Sequence, residues 1–288
     1  MTTEADMAEP TLTVESVGAS VLLLPRIERK APRAYIVGST DTGKSTLMEV
    51  LMRNYQAAYS IPKFPVRTLI VDTKPRFKAL YELSGITTLA SRRYAKWGYG
   101  SGVIPGSFVV PGTGRLKSEL DQVWRLGGTV AIVQSESKTE WDLVSAVAEA
   151  FYEGYGAQFP RLLVVDELAD FYEFRSLGDI FQRVARNGRE RDVALIAGSQ
   201  RPRKVPVEIM TEMRRLYMFE LQSYDDLKHL MGFGLPRLEL ERNGLPTDHT
   251  FYMYDRKLRL EAPSNMYYEL DLSINYYTGK KYERPGES

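Results

Sequence analysis

Gly38-Ser39-Thr40-Asp41-Thr42-Gly43-Lys44-Ser45 fits G-x-x-x-x-G-K-[ST] at every fixed position. Its flanks agree. Ala34-Tyr-Ile-Val37 ahead of it is an apolar run of strand length, and Ser45-Thr-Leu-Met-Glu-Val-Leu-Met52 behind it is built from good helix formers. Strand, glycine loop and helix is the context that a phosphate-binding (Walker A) loop requires. The backbone N–H groups of residues 39–45 can wrap a polyphosphate, and the positive end of the following helix helps hold it. Lys44 can reach the β- and γ-phosphates, and the Ser45 hydroxyl can sit on Mg²⁺. The loop from Gly38 to Thr46 is therefore the expected nucleotide site, with ATP and Mg²⁺ as the expected cofactors.

Composition removes several function classes. Hydrophobic residues make up 43% of the 288, enough for a sizeable core. The net charge of +1 gives no global field toward nucleic acid, so such binding would need local basic patches. With no cysteine there is neither a disulfide framework nor a thiolate metal site. The two histidines, His229 and His249, do not stand at metal-ligand spacing. The longest apolar runs, such as Val21-Leu-Leu-Leu24, are too short to span a bilayer, and the acidic start Met-Thr-Thr-Glu-Ala-Asp lacks a signal pattern. A soluble cytoplasmic protein without stable membrane insertion is expected.

Working outward from the loop, residues 1–10 read as a flexible tail and residues 11–288 as a single motor domain. Its core is expected over about 30–235, with a β-rich extension over about 236–288. Strands are predicted at Thr11–Val14, Ser20–Leu24, Arg67–Asp72, Thr129–Val133, Arg161–Val165, Val193–Ala197, Leu216–Leu221, Thr250–Asp255 and about 257–261. Helices are predicted over 140–153, where Trp141, Val144, Ala148 and Phe151 recur at helical spacing, and over about 176–190, 206–214 and 225–231. Thr139 is a candidate cap for the first of these. Residues 85–116 read as loops with short strands. Apolar strands alternating with helices imply an α/β fold, a mainly parallel sheet covered on both faces, with ligands at the carboxyl ends of the strands.

Leu162-Leu-Val-Val-Asp166-Glu167 is an apolar strand ending in two acids, a Walker B pattern. Asp166 would help hold Mg²⁺ opposite Ser45, and Glu167 would polarise the attacking water as general base. Val193-Ala-Leu-Ile-Ala-Gly-Ser-Gln200-Arg-Pro202 ends another strand in an amide that could contact the γ-phosphate or the water. A strand-end amide satisfying a turn explains Gln200 as well. Arg183, Arg186 and Arg189 recur every three residues, as on one helix face, with Arg191 following. They form either a solvated basic face or an arginine finger that enters a neighbouring subunit's site.

The segment Gly188-Arg-Glu-Arg-Asp-Val-Ala-Leu-Ile-Ala-Gly-Ser-Gln-Arg-Pro202 resembles that of FtsK–HerA superfamily ATPases, where an arginine region leads into a strand ending Gln-Arg-Pro. With Gly38–Ser45 and Leu162–Glu167, three motifs stand in the family's order, over roughly residues 30–235. The resemblance implies a RecA-like P-loop NTPase fold and a ring, by expectation a homohexamer, that moves double-stranded DNA. It makes Arg189 the best match to the trans-acting arginine, with Arg186 and Arg191 as alternatives. The family often has glycine where this chain has Asp192. HerA-type proteins carry a β-barrel ahead of the loop and FtsK-type proteins carry membrane spans and a winged-helix module; neither is expected here. The remaining pattern resembles the genome-packaging ATPases of membrane-containing icosahedral viruses, with capsid or membrane-vertex proteins as possible partners and the host cytoplasm or virion as location. A plasmid or conjugative DNA-transfer ATPase stands close beside it. From another class, a nucleotide or nucleic-acid kinase also uses such a loop, although Gln200-Arg-Pro has no stated role there.

Two segments could touch DNA. Arg92-Arg93-Tyr-Ala-Lys96-Trp-Gly-Tyr-Gly100 interleaves basic and aromatic residues, and Tyr94, Trp97 and Tyr99 packing onto the domain is its first reading. Arg201, Arg203 and Lys204 follow Gln200 directly, so a shift at the γ-phosphate would move them.

Overall fold

The computed structural model describes Leu24 and residues 31–60, 66–72, 86–90, 129–133, 138–153, 160–172, 175–231, 251–255, 267–268, 274–275 and 280–281. Among these the apolar runs become one sheet. Its strands are β1 (Arg33–Val37), β2 (Arg67–Asp72), β3 (Ile86–Ala90), β4 (Thr129–Val133), β5 (Arg161–Val165), β6 (Val193–Ser199), β7 (Arg215–Met218), β8 (Phe251–Asp255) and β9 (Tyr267–Tyr268). The order across the sheet is β3-β4-β2-β5-β6-β1-β7-β8-β9. From β3 to β7 every pairing is parallel; β8 and β9 are added antiparallel. Strands β1, β2, β5 and β6 are buried along their whole length, as a sheet covered on both faces demands. A separate short pair joins β10 (Ile274–Asn275) to β11 (Lys280–Lys281).

Side chains that alternate along each strand sort into two cores. Ala34, Ile36, Leu162, Val164, Ala194 and Ile196 face Leu47, Met48, Leu51 and Tyr55 of helix α1 (Lys44–Tyr59). Tyr35, Val37, Leu163, Val165, Leu195 and Ala197 face the other helices. These include Val144, Ala148 and Phe151 of α2 (Lys138–Glu153), Phe171 of α3 (Leu168–Tyr172), and Phe181 and Val184 of α4 (Arg175–Asn187). Each fully buried Val, Leu, Ile, Met or Phe among them stabilises the sandwich by about 1.5–3 kcal/mol. Two shorter helices, α5 (Val207–Glu212) and α6 (Tyr224–Met231), flank β7 in sequence.

Four expectations shift. Helix α2 begins at Lys138, so Thr139 lies inside it and does not cap it. Helix α4 ends at Asn187, so Arg189 lies in the following turn and not on a helical face with Arg183 and Arg186. Strand β7 stops at Met218, though the chain after it stays bonded to the end of β1 and to the phosphate loop: Phe219 N–H donates to Val37 O at 2.9 Å and Ser39 N–H to Glu220 O at 2.7 Å. Helix α5 ends at Glu212, two residues early. The predicted strands at 11–14, 20–23 and 257–261 and the basic-aromatic segment with Arg92, Arg93 and Lys96 lie outside the described residues.

Candidate nucleotide site

The loop after β1 is shaped by two left-handed residues. Gly43 takes φ 100°, which suits glycine, and Asp41 takes φ 62°, which aspartate tolerates better than most side chains. Helix α1 then starts at Lys44 with neither a capping side chain nor an acid in its first turn. That terminus suits an anion: backbone N–H groups and the helix dipole point the same way. Thr42 Oγ1 donates to Ser39 O at 2.9 Å, and the Lys44 ammonium donates to the same carbonyl. Lys44 is buried with 3% of its surface exposed. A buried ammonium on a carbonyl is poised to exchange that partner for phosphate oxygens, which satisfy its charge better. Thr46 lies half-buried in the first turn of α1.

Strand order brings the acids alongside. Strand β6 pairs with β1 on one side and β5 on the other, so the carboxyl ends of all three meet. Ser45 Oγ donates to Asp166 Oδ1 at 3.2 Å. Asp166 is fully buried, and it joins Ser45 in supplying the hard oxygen donors that Mg²⁺ takes; the donor set fits that ion. Glu167 Oε1 accepts from Ser199 Oγ at 2.7 Å and from Gln200 N–H at 3.0 Å, and Oε2 accepts from the same N–H at 3.0 Å. Burial pushes the Glu167 carboxyl up to about 7; the bonds from Ser199 and Gln200 oppose that rise, and Asp170 and Asp166 add to it. Thr40 Oγ1 donates to Gln200 Oε1 at 2.9 Å, tying the loop to the end of β6. A Cβ at Gly198 would stand 2.4 Å from Asp166 O, so glycine is what lets β6 approach the acid pair.

The fold therefore gathers Gly38 to Thr46, Asp166, Glu167 and Gln200. It does not gather the arginines. Arg186, Arg189 and Arg191 sit at the amino end of β6, and Gln200 sits at its carboxyl end. Seven residues of strand separate the two edges by about 20 Å. At that far edge Arg183 pairs with Glu149 at 2.9 Å and Glu153 at 3.2 Å. The guanidinium groups of Arg183 and Arg191 lie 5.0 and 4.8 Å from the centre of the Tyr152 ring. Buried Arg33 holds the end of α4 by donating to Arg186 O at 3.2 Å and pairs with Glu212 at 3.2 Å. Among the described residues Arg189, half-buried, makes no hydrogen bond or ion pair. Asp192 has φ 56°, the left-handed backbone for which a glycine would be the usual choice. The position thus keeps a backbone that favours glycine although this chain places aspartate there.

Directly after Gln200 the chain forms a single turn, Pro202–Lys204, with Pro202 buried and Arg201, Arg203 and Lys204 exposed. Arg203 N–H donates to Asp226 Oδ1 at 3.1 Å, and its guanidinium pairs with Asp225 at 3.3 Å. Gln222 N–H donates to Ser39 Oγ at 3.0 Å, so the segment that carries these acids also touches the phosphate loop. Sequence reasoning missed Ser199. The available signal was a hydroxyl closing an otherwise apolar strand one residue before Gln200.

Among solved structures, the genome packaging NTPase B204 from Sulfolobus turreted icosahedral virus 2, in complex with AMPPCP, superposes on 78% of this chain and 93% of its own. The TM-score is 0.51 at 12% identity. This chain has the B204 fold. The B204 complex with ATP-gammaS gives the same TM-score of 0.51 and 12% identity over 79% of this chain and 93% of that one. A cytoplasmic domain of the Thermomonospora curvata type VII secretion ATPase EccC covers 82% of this chain and 25% of its own, at 17% identity and a TM-score of 0.47. No family model matches the chain, and no curated protein matches it. The likeness to B204 settles the architecture as a P-loop NTPase fold, as the three motifs led us to expect. Among the described residues no helix is long and apolar enough to cross a membrane.

Proposed function

We propose that this protein is an ATP-hydrolysing translocase of double-stranded DNA that works as a ring, in the role of a viral genome-packaging motor. The observation that carries the reading is the position of Gln200. It touches the phosphate loop through Thr40 and the acid pair through Glu167, and it leads without a break into the basic turn at Arg201–Lys204. A change at the γ-phosphate is thereby handed to three exposed cations suited to DNA phosphates. The B204 fold supports the reading because B204 is a genome packaging NTPase.

In this mechanism Lys44 and the N–H groups at the start of α1 bind the β- and γ-phosphates of ATP. Ser45 and Asp166 would hold Mg²⁺, which when bound neutralises charge on the phosphate oxygens. Glu167 takes a proton from the attacking water at a carboxylate oxygen, and Gln200 orients that water or the γ-phosphate. Distance argues that Arg189 serves a neighbour: it lies a strand's length from its own Lys44. An arginine delivered in trans would make turnover depend on assembly. The test is ATPase activity with and without duplex DNA over a range of salt. DNA stimulation that weakens as salt rises supports a translocase; equal rates with and without DNA overturn it.

A further inference from the structure

The turn that carries Arg189 is fastened more tightly than a surface connection needs. Strands β1 and β5 flank β6, and each begins with a buried arginine: Arg33 is 2% and Arg161 4% exposed. Tyr35 and Leu163, two residues further along, face α2 and α4, so both arginines are on that face too. Their guanidinium groups end on the two sides of one turn. Arg33 Nη2 donates to Arg186 O at 3.2 Å, and Arg161 Nη2 donates to Arg191 O. The other nitrogen of each fork is anchored elsewhere. Arg33 Nη1 donates to Glu212 at 3.2 Å, and Arg161 Nη1 donates to Phe151 O at 2.8 Å and Tyr152 O at 2.9 Å, at the end of α2. Between the two clamps the backbone closes on itself: Arg191 N–H and Val193 N–H both donate to Gly188 O, at 3.1 and 2.8 Å. Burial lowers both guanidinium groups to about 10, so both stay charged at neutral pH. Burying two cations is costly, and a helix end can be satisfied by an exposed side chain or by water instead. Arg189 stands in the middle of the turn. Among the described residues it makes no hydrogen bond or ion pair, and its charge is near enough to Arg33 to lower that group further. A fixed backbone thus presents a cation for which the described chain has no use.

We propose that Arg33 and Arg161 are positioning residues that fix the backbone on both sides of Arg189, so that its guanidinium enters a neighbouring subunit's site already oriented. The bracket rests on the contacts above; only its target, the γ-phosphate in the next subunit, rests on the ring reading. Orientation matters for such a group, since a misplacement of about 1 Å can slow a reaction about 10²-fold. Lysine at either position keeps the charge but lacks the planar fork that reaches two partners with separate nitrogens.

The experiment compares the full-length wild type with Arg161→Lys and Arg33→Lys. In both variants the amides of Arg191 and Val193 exchange hydrogen about tenfold faster, while Leu47 in α1 keeps the wild-type rate. Unchanged exchange at the turn overturns the bracket, and Arg33→Lys decides the matter should Arg161→Lys not fold. The kcat falls about 10- to 10²-fold, while the Kd for ATP stays within about twofold. Mixing then assigns that loss to one side of the site. The control pairs Arg189→Ala with Lys44→Ala. Where it recovers turnover, Arg161→Lys also recovers with Lys44→Ala, which keeps a sound arginine turn, and does not recover with Arg189→Ala. Recovery with Arg189→Ala, or none with Lys44→Ala, overturns the positioning role. A control without recovery in mixed assemblies removes the trans arginine instead, and the exchange rates then judge the bracket alone.

Discussion

Glu167 is where stability and chemistry pull against each other. Its carboxyl titrates near 4.5 when unfolded and near 7 when folded, chiefly because the fold buries it. A raised carboxyl favours the fold fully below the unfolded value, and that contribution is lost as pH rises through the folded value. Glu167→Gln is therefore expected to lift the stability of the nucleotide-free protein at pH 8 by about 2 kcal/mol, with the gain shrinking toward pH 4.5. The same variant should bind ATP and lose hydrolysis by a factor of about 10²–10⁴. Thermal melts across pH, set beside single-turnover rates, check both halves; wild-type turnover in the variant removes Glu167 as base. Lys44, Ser45, Asp166 and Glu167 were legible because each belongs to a motif whose residue types are dictated by phosphate and metal chemistry. Ser199 was not, because its meaning comes from β5 lying beside β6, and strand adjacency leaves no local mark. Asp192 read as a departure from pattern until its φ of 56° showed that backbone shape, not side-chain chemistry, sets the requirement there.

At the scale of elements, one carboxylate reinforces the backbone ladder between β7 and β8. Asp255, at the end of β8, accepts from Arg214 Nε at 3.1 Å and Arg215 Nε at 3.0 Å. Burial would push its carboxyl up, but the bonds and charges of Arg215 and Arg214 overcome this and hold it below 3.8. A lowered carboxyl stabilises the fold above its unfolded value, and the effect is lost as pH falls through the folded value. Asp255→Asn should cost about 2–3 kcal/mol at pH 7, since buried Arg215 loses its counter-charge. The gap to wild type should close on acidification below about pH 4. Denaturant midpoints at pH 7 and pH 3.5 measure it, and a pH-independent gap would mean the loss is one of packing. Most of the parallel strands were legible because they are apolar along their whole length, as Arg67–Asp72 and Arg161–Val165 are. The end of α4 was harder. Arg183, Arg186 and Arg189 keep a spacing of three past the true end, where Gly188 turns the chain and Val193 N–H donates back to Gly188 O at 2.8 Å. Side-chain periodicity does not register a backbone turn of that kind.

On the scale of the whole molecule, two groups of polar residues gather at opposite ends of the strands. One comprises Lys44, Asp166, Glu167 and Gln200, and the other Arg186, Arg189 and Arg191. If the second group completes a neighbour's site, Arg189→Ala and Lys44→Ala should each be inactive, and mixing them should restore a measurable fraction of wild-type turnover. Mass measurement of the mixture with ATP establishes that mixed assemblies form; mixed assemblies without recovered turnover would remove the trans arginine. Strand β6 joins the two ends, buried throughout and hydrogen-bonded to β5 and β1 on its two sides. Clamped that way it can slide or tilt but scarcely bend. In a closed ring it would act as a rigid strut with one nucleotide at each end. Displacement at one γ-phosphate would then reach the next subunit's with little loss. Subunits linked by such struts would fire in sequence, not at random.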